Sequence, residues 1–356
     1  MQRFKVLLEE SVRRRMRADV QLGSSLSGGL DSSAITRLMA NEREKNYTFS
    51  ARFPGFAKDE GVFIQQVAMQ CNSLHIDVFP DQTRLLKLLD KMLYHHEEPF
   101  QSASVFAQYN VYERARKENV LVLLDGQGAD ELLAGYFKFL MPYFFELKGS
   151  GKRSSLLEKM KKQQGINLQI GKKDWLQFKF PNLFQFISKL KNASGRRENV
   201  ELGPQLRNCK KLKNPFLTHR SLKESLRYNL TQQGLGKLLR FSDRNAMANS
   251  IEVRLPFLSH ELVDFVLSLP SSFFFEHGWT KSLLRSAMDQ ELPQAITWRK
   301  DKVGFEAPDQ DWLRDEKYQV VLQEAKKSLI SQGWITEQYT NAWNTIVLYR
   351  LLQSVN

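Results

Sequence analysis

The chain has 356 residues, enough for about two domains of ordinary size. Hydrophobic residues make up 42% and charged residues 26%, a soluble globular balance, and no charge-free apolar run reaches the ~18 residues of a membrane span. The net charge of +13 sits in residues 148–213, with 17 Lys/Arg against 4 Asp/Glu; a solvated basic insertion accounts for it, and no nucleic-acid-binding motif argues for a nucleic acid.

Met1–Arg17 mixes Arg and Glu with Leu and reads as a helix, not a secretory signal. Gly23–Leu26 is a short strand feeding a glycine turn, after which Ala34, Ile35, Leu38 and Met39 fall at helical spacing. Tyr47–Arg52 and Leu74–Phe79 read as strands. Between them lies a helix that Asp59 could cap, with Phe63, Ile64, Val67 and Ala68 on its apolar face. Arg84–Tyr94 and Val105–Lys117 read as helices. Val120–Leu124 is apolar throughout, as in a parallel strand buried on both faces, and a helix follows from about Ala129. This alternation predicts a doubly wound parallel α/β sheet, which binds ligands beyond the carboxyl ends of its strands. The chain divides into an α/β core over 1–140, a basic helical and loop insertion over 141–214, and a mostly helical part over 215–356 with loops at Arg254–Leu258 and Arg299–Pro308. Cys71 and Cys209 form neither a disulfide framework nor a metal-ligand spacing, so a reducing cytoplasm is expected.

The segment from Leu26 to Ser33 (Leu-Ser-Gly-Gly-Leu-Asp-Ser-Ser) joins the first strand to a helix. Gly28 and Gly29 allow a tight turn that brings N–H groups near an anion. Ser27, Ser32 and Ser33 add hydroxyl donors, and the helix N-terminus adds a partial positive charge. The closing Gly-Lys-Ser/Thr of a Walker A loop is absent, so another cation is needed; Asp31 could supply it by holding Mg2+. The second loop, from Leu124 to Tyr136, reads Leu-Asp-Gly-Gln-Gly-Ala-Asp-Glu-Leu-Leu-Ala-Gly-Tyr. Its acids Asp130 and Glu131 could serve a metal or a proton transfer, or simply charge the first turn of a helix.

The first loop resembles the pyrophosphate loop of the ATP pyrophosphatase superfamily, and the second is similar to the Ser-Gly-Glu-Gly-x-Asp-Glu segment of asparagine synthetases. Two further stretches agree: Asp243 to Leu258, with Asp-Arg-Asn-Ala-Met and Glu-Val-Arg-Leu-Pro-Phe-Leu, and Arg299 to Phe305, with Arg-x-x-Lys-x-Gly-Phe. Lys281-Ser282-Leu283-Leu284-Arg285 also fits. The resemblance to the asparagine synthase family spans residues 1 to about 308. It implies a five-stranded sheet, binding of ATP and Mg2+, and cleavage between the α and β phosphates. Leu26, Ala51, Asp125 and Gly126 would line the adenosine site, and Ser27, Gly28, Gly29, Asp31, Ser32 and Ser33 would hold the phosphates. Asp31 and Asp130 would ligate Mg2+, and Lys302 would meet charge on the α-phosphate and acyl oxygens. Asp243 would orient Lys302 or the amine, or form only a local salt bridge. Ser102, Ser104 and Gln108 could bind the substrate's carboxylate or amino group, or cap a helix.

Two departures stand out. Gln127 occupies the place of a Glu, and an amide cannot take a proton, so Asp243, Glu131, substrate or water would serve as base. The second is the absence of a glutaminase domain with an N-terminal cysteine nucleophile before the synthetase segment. The resemblance then implies aspartate and ammonia as substrates, with a glutaminase either N-terminal to this segment or on a separate chain, and is compatible with a homodimer. The expected activity is a carbon–nitrogen ligase forming β-aspartyl-AMP and then asparagine. A lactam- or peptide-cyclising ligase on the same scaffold and a non-catalytic interaction protein are the alternatives.

Overall fold

The computed structural model describes residues 1–147, 149–165, 180, 202–207, 221–300 and 304–355. Its centre is a five-stranded sheet of β1 (Gln21–Ser25), β2 (Tyr47–Ala51), β3 (Leu74–Val78), β4 (Val120–Leu124) and β5 (Glu252–Arg254), in the order β3-β2-β1-β4-β5. Every pairing is parallel, which gives the doubly wound α/β sheet that the sequence predicts. Val120, Val122, Leu123 and Leu124 are buried, as their uninterrupted apolar run requires. β2 is buried too but carries polar residues, and each finds a partner. Thr48 Oγ1 lies 2.9 Å from His75 Nδ1, and Ser50 donates to the Leu26 carbonyl.

The helices that matter to the site are α1 (Gln2–Arg15), α2 (Leu30–Glu42), α3 (Gly61–Gln70), α4 (Ser104–Lys117), α5 (Ala129–Leu132), α6 (Leu222–Thr231), α7 (Leu235–Ala248) and α8 (Ser282–Met288). On α1, Phe4, Leu7, Leu8, Ser11 and Val12 turn inward at helical spacing. The cap position of α3 belongs to Glu60, whose side chain makes no capping bond. Asp59, expected as the cap, accepts from the N–H of Gly61, the first residue of α3, and also from Arg52 Nη2 at 2.8 Å and the Phe53 N–H at 3.0 Å. β5 departs from the sequence reading: Glu252–Arg254 form a strand at the entry to the loop expected around Arg254–Leu258.

The described residues form two compact units that do not follow chain order. One comprises the described residues of Met1–Asp81, Ser104–Leu168 and Arg220–Ala307, and holds the whole sheet. The other comprises those of Gln82–Ala103, Gln169–His219 and Pro308–Asn356. It is helical, with Gln82–His96, Glu316–Ser331 and Ala342–Val355 as its long elements. Ala325, Leu329, Ile335 and Tyr349 form a buried cluster in it, and Trp343 Nε1 donates to the Phe100 carbonyl at 2.8 Å. Most of the basic insertion read over 141–214 lies outside the described residues. Among the described residues no helix is long and apolar enough to cross a membrane.

Strand order fixes where the site must lie. From β1 the chain winds outward through β2 and β3, then returns to the other side of β1 with β4. The connections leaving β1 and β4 therefore diverge and open a crevice between them. Both motif loops sit at that switch point.

Candidate functional site

The loop after β1 is held by its own hydroxyls. Ser32 Oγ lies 3.0 Å from Ser27 Oγ, accepts from the Ser27 N–H at 3.1 Å and donates to the Gly29 carbonyl at 3.2 Å. Gly29 is the N-cap of α2 and has no side chain to satisfy the first-turn N–H groups, which leaves these donors for an anion. The loop after β4 packs directly on this turn. A Cβ added at Gly126 would lie 2.9 Å from Ser32 N and 3.0 Å from Asp31 C, so only glycine lets the two loops approach so closely.

Asp31, on the first turn of α2, and Asp130, on α5, meet a buried cation. Lys281 Nζ lies 2.5 Å from Asp31 Oδ2 and 2.7 Å from Asp130 Oδ1. Lys281 is 6% exposed, and its backbone, at φ +53°, is left-handed, which is unusual for a side chain of this size. Burial alone would lower the pKa of this ammonium, but the two carboxylates outweigh it and hold the pKa above its ordinary value. The space that admits the pair is made by Gly135, where a Cβ would fall 1.8 Å from Asp130 Oδ1 and 2.3 Å from Lys281 Cε. Next to Asp130, Glu131 is buried and accepts from Tyr136 O–H at 2.6 Å. Burial pushes the Glu131 carboxyl above its ordinary pKa.

A cavity of about 220 Å3 opens over these groups, with Ser27, Gly29, Asp31, Ser32, Asp130 and Lys281 in its wall. Two arginines also line it. Arg285 is buried and donates to the carbonyls of Thr280 and Thr297 at 2.9 and 2.6 Å. Desolvation lowers its pKa to about 10, so it stays cationic at neutral pH. Arg299 pairs with Glu60 and lies 3.9 Å from the centre of the Phe63 ring. A second cavity, about 140 Å3, is more apolar, with Leu26, Phe49, Ala51 and Val111 in its wall. The two cavities share Ser27, Ser32, Asp125, Gln127 and Phe305. Two buried oxygens of residues at this second cavity, Ser25 Oγ and Gln127 Oε1, have no hydrogen-bond partner among the described residues. A polar cradle joined to an apolar slot with orphaned acceptors suits a nucleoside polyphosphate. The paired carboxylates are hard oxygen donors of the kind Mg2+ takes.

The residues singled out in the sequence are brought together unevenly. Leu26, Ser27, Gly29, Asp31, Ser32, Ala51, Gln108, Asp125, Gly126, Gln127, Asp130 and Glu131 all line one of the two cavities. Gly28 supports the turn from behind at φ +80°, and Ser33 is fully buried, with no partner for its hydroxyl among the described residues. Ser104 begins α4 without reaching either cavity, and Ser102 belongs to the other unit. Asp243 is on an exposed face of α7 and lines neither cavity, so the structure does not bring it to the site. Lys302 lies outside the described residues, but its neighbours Arg299, Gly304 and Phe305 line the larger cavity. Sequence reasoning gave no role to Lys281, Arg285, Arg299 or Glu60. The signal for Lys281 was the lack of a Walker lysine, which leaves the phosphate site in need of a cation.

The comparisons with known proteins agree with this geometry. The asparagine synthase family model matches residues 3–345. Asparagine synthetase [glutamine-hydrolyzing] 1 of Bacillus subtilis is 30% identical over 327 residues, covering 86% of this chain and 49% of that protein. Asparagine synthetase [glutamine-hydrolyzing] 2 of the same organism is 26% identical over 320 residues, covering 85% of this chain and 38% of that protein. Asparagine synthetase [glutamine-hydrolyzing] of Gallus gallus is 22% identical over 307 residues, covering 83% and 41%. The chain thus spans about half the length, or less, of these relatives. With four motifs in order and two of their loops facing each other across the switch point of the sheet, the chain belongs to the asparagine synthase family.

Proposed function

We propose that this chain carries out ATP-dependent amide synthesis of the asparagine synthase type. An aspartate β-carboxylate oxygen attacks the α-phosphorus of ATP, the bond to the β-phosphate breaks, and pyrophosphate leaves with that electron pair. Ammonia then attacks the acyl carbon of β-aspartyl-AMP, and AMP departs, leaving asparagine. The observation that carries this reading is the junction of a cationic cradle with an apolar slot at the carboxyl ends of β1 and β4.

In this reading the adenosine occupies the slot of Leu26, Phe49, Ala51 and Val111, and the phosphates lie against the first turn of α2. Lys281 and Arg285 are fixed positive charges toward the departing pyrophosphate. Neither has to reorganise as charge develops, which is where a preorganised site gains its rate. Asp31 and Asp130 would hold Mg2+, which when bound supplies further positive charge for the pyrophosphate. Lys302 would meet the charge of the α-phosphate. Ammonia reaches the site either free or from a glutaminase carried on the same or another chain.

The test is to incubate the chain with Mg-ATP and aspartate, with and without ammonium, and to measure pyrophosphate, AMP and asparagine. Aspartate-dependent pyrophosphate and ammonium-dependent asparagine are expected. Turnover only with a different acid would replace aspartate in this reading, and no turnover with any acid would end it. Asp31→Asn should abolish pyrophosphate release; if it does not, the metal assignment fails.

A further inference from the structure

A third cavity, of about 560 Å3, lies in the same compact unit and shares no wall residue with the two above. Its size falls within the range of about 300–1,000 Å3 that small-molecule sites occupy. One wall is the helix Ser150–Gln164, on which Lys152, Ser155, Leu156 and Lys159 fall at i, i+3, i+4 and i+7 and so share a face. Another is the turn at 272–278. Tyr143, Leu147, Leu156, Phe273 and Phe275 make the body of the cavity apolar, with the Tyr143 and Phe275 rings stacked 4.8 Å apart.

The charged groups of the wall are accessible. Lys152, Lys159, Glu276 and His277 are all exposed and all line the cavity. Among the described residues neither ammonium has a carboxylate within ion-pair distance. Two ammonium groups and one carboxylate leave a net charge of one positive, beside an imidazole that can donate a further hydrogen bond. An apolar body with such a rim matches an amphipathic monoanion. A phosphate monoester, with a charge of about −1.5 to −2, would exceed what the wall offers.

The turn that forms this wall runs on into the phosphate cradle, where Thr280 and Lys281 line the larger of the two active-site cavities. Gln164, the last residue of the lysine-bearing helix, donates from Nε2 to the Gly278 carbonyl at 2.9 Å and accepts from the Thr280 O–H at 3.0 Å. Ser282 Oγ donates to the Phe273 carbonyl and accepts from the Glu276 N–H at 3.2 Å. Lys281 is thus flanked on both sides by bonds to the cavity wall. His277, Gly278 and Lys281 all have positive φ, at +55°, +82° and +53°, and a Cβ on Gly278 would lie 2.7 Å from the Lys159 carbonyl carbon. A segment packed this tightly has little slack, so fixing it at His277 also fixes Lys281.

We propose that this cavity is a second ligand site for an amphipathic monocarboxylate, held at Lys152, Lys159 and His277 with its apolar body on Tyr143, Leu156 and Phe273, and that its occupancy tightens Mg-ATP binding. A ligand that bridges the helix and the turn orders the segment leading to Lys281, and the nucleotide then meets a cradle already ordered. The site stands on its own geometry; its effect on ATP rests on the amide-synthesis reading above.

Octanoate is the probe, measured by calorimetry on the full chain without nucleotide. It should bind, and octanol, which lacks the charge, should bind about two- to fivefold more weakly. Lys159→Ala keeps the Cβ against Gly278 and removes the ammonium; it should weaken octanoate about two- to fivefold and leave octanol unchanged. Ser155→Trp places an indole in the cavity and should abolish binding of both. Absence of octanoate binding, equal affinity for octanoate and octanol, indifference to Lys159→Ala, or undiminished binding to Ser155→Trp overturns the site. With octanoate saturating, the Kd for Mg-ATP should fall about fivefold, and Mg-ATP should tighten octanoate by the same factor, with neither effect in Ser155→Trp. Octanoate that binds as expected but leaves the Kd for Mg-ATP unchanged or raised overturns the coupling. If the chain binds no ATP, the amide-synthesis reading fails, whereas the nucleotide-free octanoate titrations still decide the site.

Discussion

Lys281 and Asp31 stand 250 positions apart in the chain and meet at 2.5 Å, with Asp130 on the other side of the same ammonium. Replacing Lys281 with Met leaves two carboxylates facing each other in a buried site. Loss of one partner from a buried pair costs about 3–5 kcal/mol, so the melting temperature should fall by many degrees. Added Mg2+ should recover more of that loss than it adds to the wild type, because a cation again lies between the acids. Thermal melts with and without Mg2+ check this, and equal Mg2+ effects would count against it. The folded pKa of Lys281 is raised, so the stability of the pair is complete below about 10.4 and is lost only as pH climbs through the higher folded value.

Asp125 should give a slope of the same sign, but at acid pH. Its folded pKa of about 6 lies above the ordinary carboxylate value, so between about 4 and 6 the folded chain binds more protons than the unfolded one. Stability therefore falls as pH rises through this window, by up to about 3 kcal/mol from this group. Denaturant melts at pH 4, 5 and 6 should show that the difference between Asp125→Asn and wild type grows in favour of the variant with pH. A constant difference would remove Asp125 as the titrating group.

Gly135 predicts a steric effect that can be separated from helix propensity. Ala at 135 would drive its Cβ into Asp130 and the Lys281 stem, and pyrophosphate release should drop at least about a hundredfold with a loss of about 1–3 kcal/mol in stability. Gly151 lies in the helix Ser150–Gln164 with open space around its Cα. Ala there should be neutral or stabilise by about 0.5–1 kcal/mol, with activity unchanged. Similar behaviour of the two variants would refute the packing argument.

The Arg299–Glu60 pair connects the segment leading to Lys302 with the start of α3. Arg299→Ala and Glu60→Gln should each raise the KM for ATP, and the double variant should be less impaired than their sum by about 1–3 kcal/mol of coupling. Arg299→Lys should not rescue, because an ammonium does not reproduce the planar stack on Phe63. Additive effects in ATP-dependent kinetics would show the pair to be uncoupled.

Much of this site was legible because its chemistry is local. The two loops declare themselves by glycines, hydroxyls and acids placed after apolar strands, and Val120–Leu124 could hardly be anything but a buried strand. β5 was not legible. Glu252, Val253 and Arg254 are three residues with no alternation to read, made a strand only by the open edge of β4. Lys281 was visible as part of a motif but not as the partner of Asp31 and Asp130, since that meeting is made by tertiary packing. Asp243 shows the converse: a motif match put it near the chemistry, whereas its position on α7 turns it to solvent. The compact units escaped a reading in chain order because Gln82–His96 packs with elements after Pro308, not with its neighbours in sequence.

The strand order has a consequence for how the protein is made. β1 and β4 are adjacent in the sheet but about a hundred residues apart in the chain, and closing so long a loop comes before any of its contacts reward it. The first motif loop leaves the ribosome well before the second, and Lys281 follows much later still. A nascent chain that ends before β4 carries the Ser27–Ser33 turn without its opposing wall. Nucleotide capture is thus deferred until the segment that carries Lys281 has emerged, and ATP can act as a ligand that rewards completed folding but not as a template that begins it.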